Sequence, residues 1–191
     1  MKHYNRAHIF GILDKTEEQL TKNNGNPYLE VIIDCQHEEY GSVRVLAFIW
    51  GEENVNYFQS KFSRGDEVRL SGNMQQYTGR GKATRTTFNI YIIKTEKIKE
   101  RKTTFILVGE VESLDSDGNL LLTVKQKKSE KYEAKEDTLK VHAPRELLLE
   151  LENTPEMGQA VSVKGYIMCP EDEFGEPTGN QQPIVKELKF V

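Results

Sequence analysis

The sequence predicts an all-β protein built as two tandem five-stranded barrels, each with one short helix between its third and fourth strands. Segments in which apolar and polar residues alternate recur along the 191 residues, as expected of strands that bury one face. In each half, the third such segment is followed by residues that favour a helix. Glycines at matching places in the two halves indicate a diverged internal repeat, so the halves should fold alike.

The first half contains five predicted strands, at residues 7–13, 28–35, 43–50, 67–77 and 84–93. In the last of them, Phe88, Ile90 and Ile92 are predicted to face inward. Apolar residues recur at helical spacing after the third strand, which predicts a helix over residues 52–62. Three strands, a helix and two further strands are the order of an OB fold.

The second half repeats this order. Its predicted strands lie at residues 104–111, 120–127, 138–143, 161–168 and 184–191. Pro144 opens the helix after the third strand, where its missing N–H costs nothing. The charged run at residues 94–103 lies between the two patterned regions and predicts two domains, 1–98 and 103–191.

The repeat is carried mainly by its glycines. When Gly65 is aligned with Gly158, Gly72 falls on Gly165. A glycine inside a strand marks a bend or a bulge, which a small barrel needs in order to close. The aligned glycines therefore predict the same barrel twice.

Charge is unevenly distributed between the halves. The chain has a net charge of −4, to which residues 1–98 contribute +1 and residues 99–191 contribute −5. A nearly neutral domain still binds nucleic acid when its basic side chains share one face. No segment approaches the roughly 18 apolar residues of a membrane span, and the first residues lack the apolar core of a signal peptide. We therefore expect a cytoplasmic protein without a membrane partner.

Four short motifs follow one another in the first half. They are Gly11-Ile12-Leu13 ending the first strand, Thr21-Lys22-Asn23-Asn24-Gly25 before the second, Phe48-Ile49-Trp50-Gly51 before the helix, and Arg64-Gly65-Asp66-Glu67-Val68-Arg69-Leu70-Ser71-Gly72 at the fourth strand. Each motif is weak alone, but the ordered set resembles the bacterial single-stranded-DNA-binding protein family. The second half keeps only the glycines and the alternation.

The resemblance implies binding of single-stranded DNA by base stacking and phosphate contacts, without catalysis. OB barrels bind in this way on their second and third strands and the loops beside them. The family's stacking aromatic before the helix falls on Trp50, and a second one falls near Tyr77. Independently, alternation puts Trp50 with Arg44 on one outward face and Tyr77 with Arg69 on another. The candidate nucleic-acid-binding residues are Trp50, Tyr77, Tyr28, Arg44, Arg69, Arg80, Lys82 and Arg85.

Plainer interpretations of these residues stay open. The aromatic rings could be rim residues or ordinary cross-strand partners. The turn at residues 79–82, predicted to be a mobile basic finger, could be only a solvated hairpin turn. Arg44 and Arg69 could pair with Glu30 or Asp34. The hypothesis depends on the coincidence of all these side chains on one face.

No catalytic or metal-binding constellation is visible in the sequence. The four histidines have no metal-ligand spacing to one another or to Cys35 and Cys169. Phosphate-binding glycine motifs and a nucleophile elbow are also missing. We expect a protein that is not an enzyme, uses no cofactor or metal, and keeps its two thiols unpaired.

The second half and the end of the chain depart from the family. Residues 169–183 form an acidic segment that would repel phosphate, so the second domain is expected to contact proteins or to bind nucleic acid weakly. The family's acidic tail is absent, which puts recruitment of replication or recombination proteins through a tail in doubt. The family assembles four OB domains, a number that a homodimer of this chain would supply.

The favoured function is sequence-nonspecific binding of single-stranded DNA in replication, recombination or transfer of a phage or other mobile element. A tandem OB-fold scaffold that binds another protein, with DNA binding lost, is the alternative that the acidic second half supports. RNA binding is the third candidate, because OB barrels serve both nucleic acids.

Overall fold

Ten strands and two helices follow one another along the described chain, which comprises residues 3–20, 25–38, 41–78, 84–95, 97–126, 135–169 and 181–191 of the computed structural model. The first half contains β1 (Tyr4–Leu20), β2 (Pro27–His37), β3 (Gly41–Trp50), α1 (Glu52–Lys61), β4 (Glu67–Thr78) and β5 (Thr84–Lys94). The second half contains β6 (Lys102–Leu114), β7 (Asn119–Gln126), β8 (Lys135–His142), α2 (Arg145–Leu149), β9 (Ala160–Met168) and β10 (Gln182–Phe190). The all-β prediction is confirmed, and every predicted segment overlaps the strand or helix expected there.

Strand β1 is much longer than the strand that its apolar residues predict. It runs for 17 residues, whereas the apolar segment ends at Leu13. Residues Ala7 to Ile12 pair with β4, and residues from Ile12 to Leu20 pair with β2. The register with β2 shifts between Leu13 and Lys15, a bulge that bends the strand. Beyond this bulge the strand is polar and held by its ladder hydrogen bonds, so no hydrophobic signal marks it.

The pairings among the first five strands close on themselves. Antiparallel pairings join β1 to β2, β2 to β3, β4 to β5 and β4 to β1. A short parallel pairing, Phe48 with Asn89 and Ile49 with Ile90, joins β3 to β5. The circuit is therefore β1-β2-β3-β5-β4-β1. Strands β6 to β10 repeat it as β6-β7-β8-β10-β9-β6, again with a parallel contact between the third and fifth strands.

Apolar side chains fill the inward faces at the predicted alternate positions. On β2, Leu29, Val31, Ile33 and Cys35 are buried, and the intervening residues are not. Phe58 of α1 is also fully buried against the strands. Cys35 and Cys169 are not joined by a disulfide, and burial raises the pKa of Cys35. Cys35 therefore packs as a small apolar side chain.

The far end of β5 contains a bulge that the alternation did not reveal. The β4–β5 pairing shifts register there and leaves Tyr91 without a cross-strand partner. Beyond the shift, Ile93 rather than Ile92 pairs with the fully buried Leu70. Cross-strand partners point to the same side of a sheet. The prediction that Ile92 faces inward is therefore wrong, because the extra residue moves the inward position by one.

The aligned strand glycines have the same environment in the two halves. A Cβ at Gly72 would lie 1.9 Å from the carbonyl oxygen of Asn89, and a Cβ at Gly165 would lie 1.8 Å from that of Ile184. Each glycine thus lets its strand approach the next one more closely than any side chain allows. The turns before these strands also match, since Gly65 donates to the Leu13 carbonyl at 2.7 Å and Gly158 to that of Val111 at 2.8 Å.

The chain divides into two compact units. The N-terminal unit comprises Ala7–Thr103 and Cys169–Gln181, and the C-terminal unit comprises Met1–Arg6, Thr104–Met168 and Gln182–Val191. Each unit thus contains one circuit of five strands and a short segment from elsewhere in the sequence. Within the described ranges, no helix has the length and apolar character that a membrane crossing requires.

Candidate nucleic-acid interface

The candidate interface lies on the outward side of β3 and its neighbours in the N-terminal unit. Along β3, Val45, Ala47 and Ile49 are fully buried, whereas the alternate residues are partly or well exposed. Trp50, at the end of the strand, is 39% exposed. The pleat therefore directs the indole of Trp50 away from the core.

Three aromatic side chains meet on this face. Tyr28 of β2 is the cross-strand partner of Trp50, and the two rings stack with centroids 4.6 Å apart and planes at 26°. Phe48 lies 6.0 Å from Tyr28 and 6.2 Å from Trp50, with tilted planes. We call Tyr28, Phe48 and Trp50 the aromatic cluster. Such packing stabilises a fixed ring arrangement, so Trp50 is exposed and held at the same time.

Polar contacts also fix Trp50. Its indole Nε1 donates a hydrogen bond of 2.9 Å to Asn89 Oδ1 on β5. The backbone oxygen of Trp50 accepts a bond of 3.0 Å from Asn54 Nδ2 in α1. Gly51 between strand and helix has a φ of 89°, which favours glycine, and it allows the chain to turn directly into α1. The end of β3 is therefore held by its neighbours on β2, β5 and α1.

Arg44 shares the outward face of β3 but is engaged with Asp14. Its guanidinium donates to one carboxylate oxygen of Asp14, while that of Arg64 lies 2.9 Å from the other. Burial by itself raises the pKa of Asp14, but the hydrogen bonds and charges of Arg44 and Arg64 outweigh it and lower that pKa. Arg44 is thus paired with Asp14, which compensates much of its charge.

Arg69 lies in a different part of the surface. It is the cross-strand partner of Phe10, and its guanidinium carbon lies 5.2 Å from the centre of that ring. In the pairing of β4 with β5, Arg69 of β4 lies opposite Lys94 of β5, whereas Asn89 of β5 lies opposite Asn73 of β4. Lys94 and Asn89 are separated by roughly 16 Å of β5. The structure therefore does not bring Arg69 next to the aromatic cluster.

The remaining predicted residues lie at the β4–β5 hairpin. Tyr77 and Arg85 are backbone partners across β4 and β5, but their side chains are outside the described part of the structure. Arg80 and Lys82 also lie outside the described residues.

Negative charge borders the aromatic cluster. Glu30 of β2 is the cross-strand partner of Phe48. Burial and the nearby charge of Glu17 raise the pKa of Glu30 above its usual value. Burial and the charge of Glu30 also raise the pKa of Tyr28. A carboxylate at this place opposes the approach of phosphate groups.

Two amide side chains at this face were not predicted. Asn89 holds Trp50 in place. The sequence indicates only that Asn89 faces outward, because it lies between Phe88 and Ile90, which are buried. Gln181 is 3% exposed. Its Nε2 donates to the carbonyl oxygens of Leu46 at 2.7 Å and Thr86 at 3.2 Å. Its Oε1 accepts from the Leu46 N–H at 3.0 Å. Gln181 thereby bridges β3 and β5 beyond their short parallel pairing. Nothing in the sequence indicates this bridge.

Among the described residues of the C-terminal unit, the corresponding strand ends carry no equivalent of the aromatic cluster. The β2–β3 pairing carries Tyr28 opposite Trp50 at its end, whereas the β7–β8 pairing ends with Asn119 opposite His142. In the described part of the chain, no three His, Cys, Asp or Glu side chains are grouped as a metal site would require. In the described part of the chain, the aromatic cluster therefore belongs to the N-terminal unit.

Comparison with known proteins identifies the fold. No known family and no curated protein matches the sequence. The structure of the wild-type single-stranded DNA binding protein from Thermus aquaticus superposes with a TM-score of 0.67 at 16% identity, covering 100% of this chain and 94% of that chain. A deletion mutant of the same protein gives a TM-score of 0.65 at 14% identity, covering 100% and 95%. The chain therefore has the fold of the bacterial single-stranded DNA binding proteins over its whole length. The ordered motifs predicted this fold for the first half.

Proposed function

We propose that this protein binds single-stranded DNA without sequence specificity, by stacking bases on the aromatic cluster, and that it is not an enzyme. The observation that carries the proposal is Trp50, exposed on the outward face of a strand and fixed by Tyr28 and Asn89. Base stacking on an aromatic ring contributes roughly 1–3 kcal/mol per base. A ring already held in place loses little conformational entropy when a base arrives.

Phosphate contacts complete the proposed mechanism. The basic residues Arg80, Lys82 and Arg85 at the β4–β5 hairpin supply positive charge, and Tyr77 adds a second ring. Arg44 contributes less, because Asp14 already compensates its charge. Phosphate contacts add an attraction that weakens as salt increases.

We also propose that each circuit of five strands is an OB barrel, in two domains of residues 1–98 and 103–191. The closed pairings, the helix between third and fourth strands, and the close approaches at Gly72 and Gly165 support this. The aromatic cluster then lies on the second and third strands of the first barrel, where OB folds bind oligonucleotides.

The test is a titration of the full chain with oligo-dT at low salt, following tryptophan fluorescence. Trp50 is the only tryptophan, so the signal has one source. We expect strong quenching that added salt reverses. In a parallel assay with fluorescently labelled oligo-dT, Trp50→Ala should lower the affinity at least about fivefold, the lower end of one stacked base.

Tyr57→Ala is the matched control. Tyr57 is an exposed aromatic residue of α1, 42% exposed and outside the aromatic cluster. Its removal should leave the affinity unchanged. Equal losses in the two variants, or no binding of oligo-dT by the unaltered chain, would refute the proposal and favour the protein-interaction scaffold.

A competing RNA oligomer separates the remaining alternative. Stacking alone does not discriminate DNA from RNA, since every base presents a π-face. We expect oligo-dT to displace oligo-U more effectively than the reverse. The setting we propose is replication, recombination or mobile-element transfer, with proteins of those processes as partners and a homodimer as the assembly.

A further inference from the structure

The orientation of the Asn89 amide is set by its partner. An indole N–H only donates, so the atom that meets Trp50 Nε1 at 2.9 Å must be the oxygen Oδ1. The amino group Nδ2 therefore points away from the indole nitrogen. Phe88 and Ile90 on either side are buried, which keeps the Asn89 side chain on the outward face with Trp50.

Asn89 thus combines an engaged acceptor with available donors. Among the described residues, none accepts a hydrogen bond from Asn89 Nδ2. Its amino group carries two hydrogens that can each donate. These donors lie beside the ring on which we propose that a base stacks.

We propose that Asn89 hydrogen-bonds the edge of the base stacked on Trp50 and favours bases whose edge presents a carbonyl oxygen, such as thymine. This inference rests on the proposed function and adds a modest base preference to it. An asparagine normally recognises adenine with its oxygen and its amino group together. Here the bond from Trp50 Nε1 engages one of the two lone pairs of that oxygen, so Asn89 presents a stacked base chiefly with its two donors. Thymine, with carbonyl oxygens at its edge, matches a group that chiefly donates.

The experiment measures the affinities of the full chain for oligo-dT, oligo-dA and an abasic oligomer of equal length, all fluorescently labelled. In Asn89→Ala, the affinity for oligo-dT should fall about fivefold relative to that for oligo-dA, as expected for one lost hydrogen bond. The comparison between variants cancels the tendency of oligo-dA to stack on itself. Affinity for the abasic oligomer should not change.

A second variant separates recognition from positioning. Asn89→Asp keeps an acceptor for Trp50 Nε1 and removes both donors. Its negative charge weakens binding of all three oligomers alike, and the abasic oligomer measures that effect. The ratio of oligo-dT to oligo-dA affinity should fall in this variant as it does in Asn89→Ala.

Asn54→Ala is the matched control, because the Asn54 side chain also contacts Trp50 by donating to the backbone oxygen of Trp50. It should leave the ratio unchanged. The inference is overturned if the Asn89 variants weaken oligo-dT and oligo-dA equally, because Asn89 then only positions the ring. That result differs from failure of the proposed function, in which no oligomer binds and Trp50 is not quenched.

Discussion

A carboxylate lies among the side chains that we propose to contact DNA. Glu30 is opposite Phe48 on the β2–β3 pair, and its pKa is raised by burial and by the charge of Glu17. In its ionised form Glu30 repels phosphate. As the pH falls through this raised pKa, Glu30 takes up a proton and the repulsion disappears. We therefore expect Glu30 to couple the proposed DNA affinity to pH.

Glu30→Gln should bind oligo-dT about two- to fivefold more tightly than the unaltered chain at neutral pH, the effect of one surface charge worth roughly 0.5–1 kcal/mol. The advantage should shrink as the pH is lowered from about 7 toward the usual glutamate value of 4.5. Affinities from labelled oligo-dT across this range check the prediction. Glu150→Gln makes the same change in net charge at an exposed site of the C-terminal unit and should have no effect. A constant advantage at every pH would contradict the assignment to Glu30.

At the scale of the elements, close strand approach depends on glycine. A Cβ at Gly72 would meet the backbone oxygen of Asn89 at 1.9 Å, and backbone cannot move aside as a flexible side chain does. The neighbouring strand carries Asn89 itself, so distortion there also reaches the residue that holds Trp50. Stability and the proposed site are thus linked through one position of β4.

Gly72→Ala should destabilise the protein by about 2–4 kcal/mol, as overpacking does when no side chain can yield. Urea unfolding at neutral pH measures the change. Gly25→Ala is the control: Gly25 has a φ of 67° but nothing within 4 Å of a new Cβ, so it should lose only about 1–2 kcal/mol. If Gly72→Ala lowers the free energy of unfolding less than Gly25→Ala does, the close approach of β4 to β5 does not require glycine at position 72.

Strand positions were predictable because burial of one face leaves a period of two in the sequence, as on β2 and β3. Register was less so: the bulge at Tyr91 moved Ile92 off the inward face, since hydrogen bonding rather than hydrophobicity determines where a residue is skipped. The polar end of β1 was missed for the same reason. The outward positions of Trp50 and Tyr28 were predicted from the alternation and from the family resemblance. Arg69 was grouped with them wrongly, because outward direction alone does not specify which neighbours share the surface.

At the scale of the whole molecule, residues distant in sequence complete the proposed site. Asn89 reaches Trp50 across 39 positions, and Gln181 reaches Leu46 across 135. The periodicity of a sequence relates only residues within one strand or helix, so it does not predict contacts between residues this far apart. Gln181 satisfies backbone groups of β3 and β5 where those strands do not pair. Gln181, directly before the last strand, therefore bridges the two strands that carry Trp50 and Asn89.

Gln181→Ala should destabilise the protein by about 1–3 kcal/mol, because it leaves the Leu46 N–H and two carbonyl oxygens buried without their partner. Gln182→Ala, an exposed neighbour, should change stability by less than about 0.5 kcal/mol. Urea unfolding compares the two.

A charged residue at position 181 tests whether hydrogen-bond donation, rather than the volume of the side chain, stabilises the bridge. Gln181→Glu keeps an acceptor for Leu46 N–H but puts a carboxylate against the carbonyl oxygens of Leu46 and Thr86, which only accept. At neutral pH it should be at least as unstable as Gln181→Ala. Burial among acceptors raises the carboxyl pKa, so protonation below that pKa restores one donor and part of the stability. The variant should therefore regain stability relative to Gln181→Ala as the pH falls from about 7 to 4.5. If the difference between the two is independent of pH, the bridge between β3 and β5 does not depend on donation by residue 181.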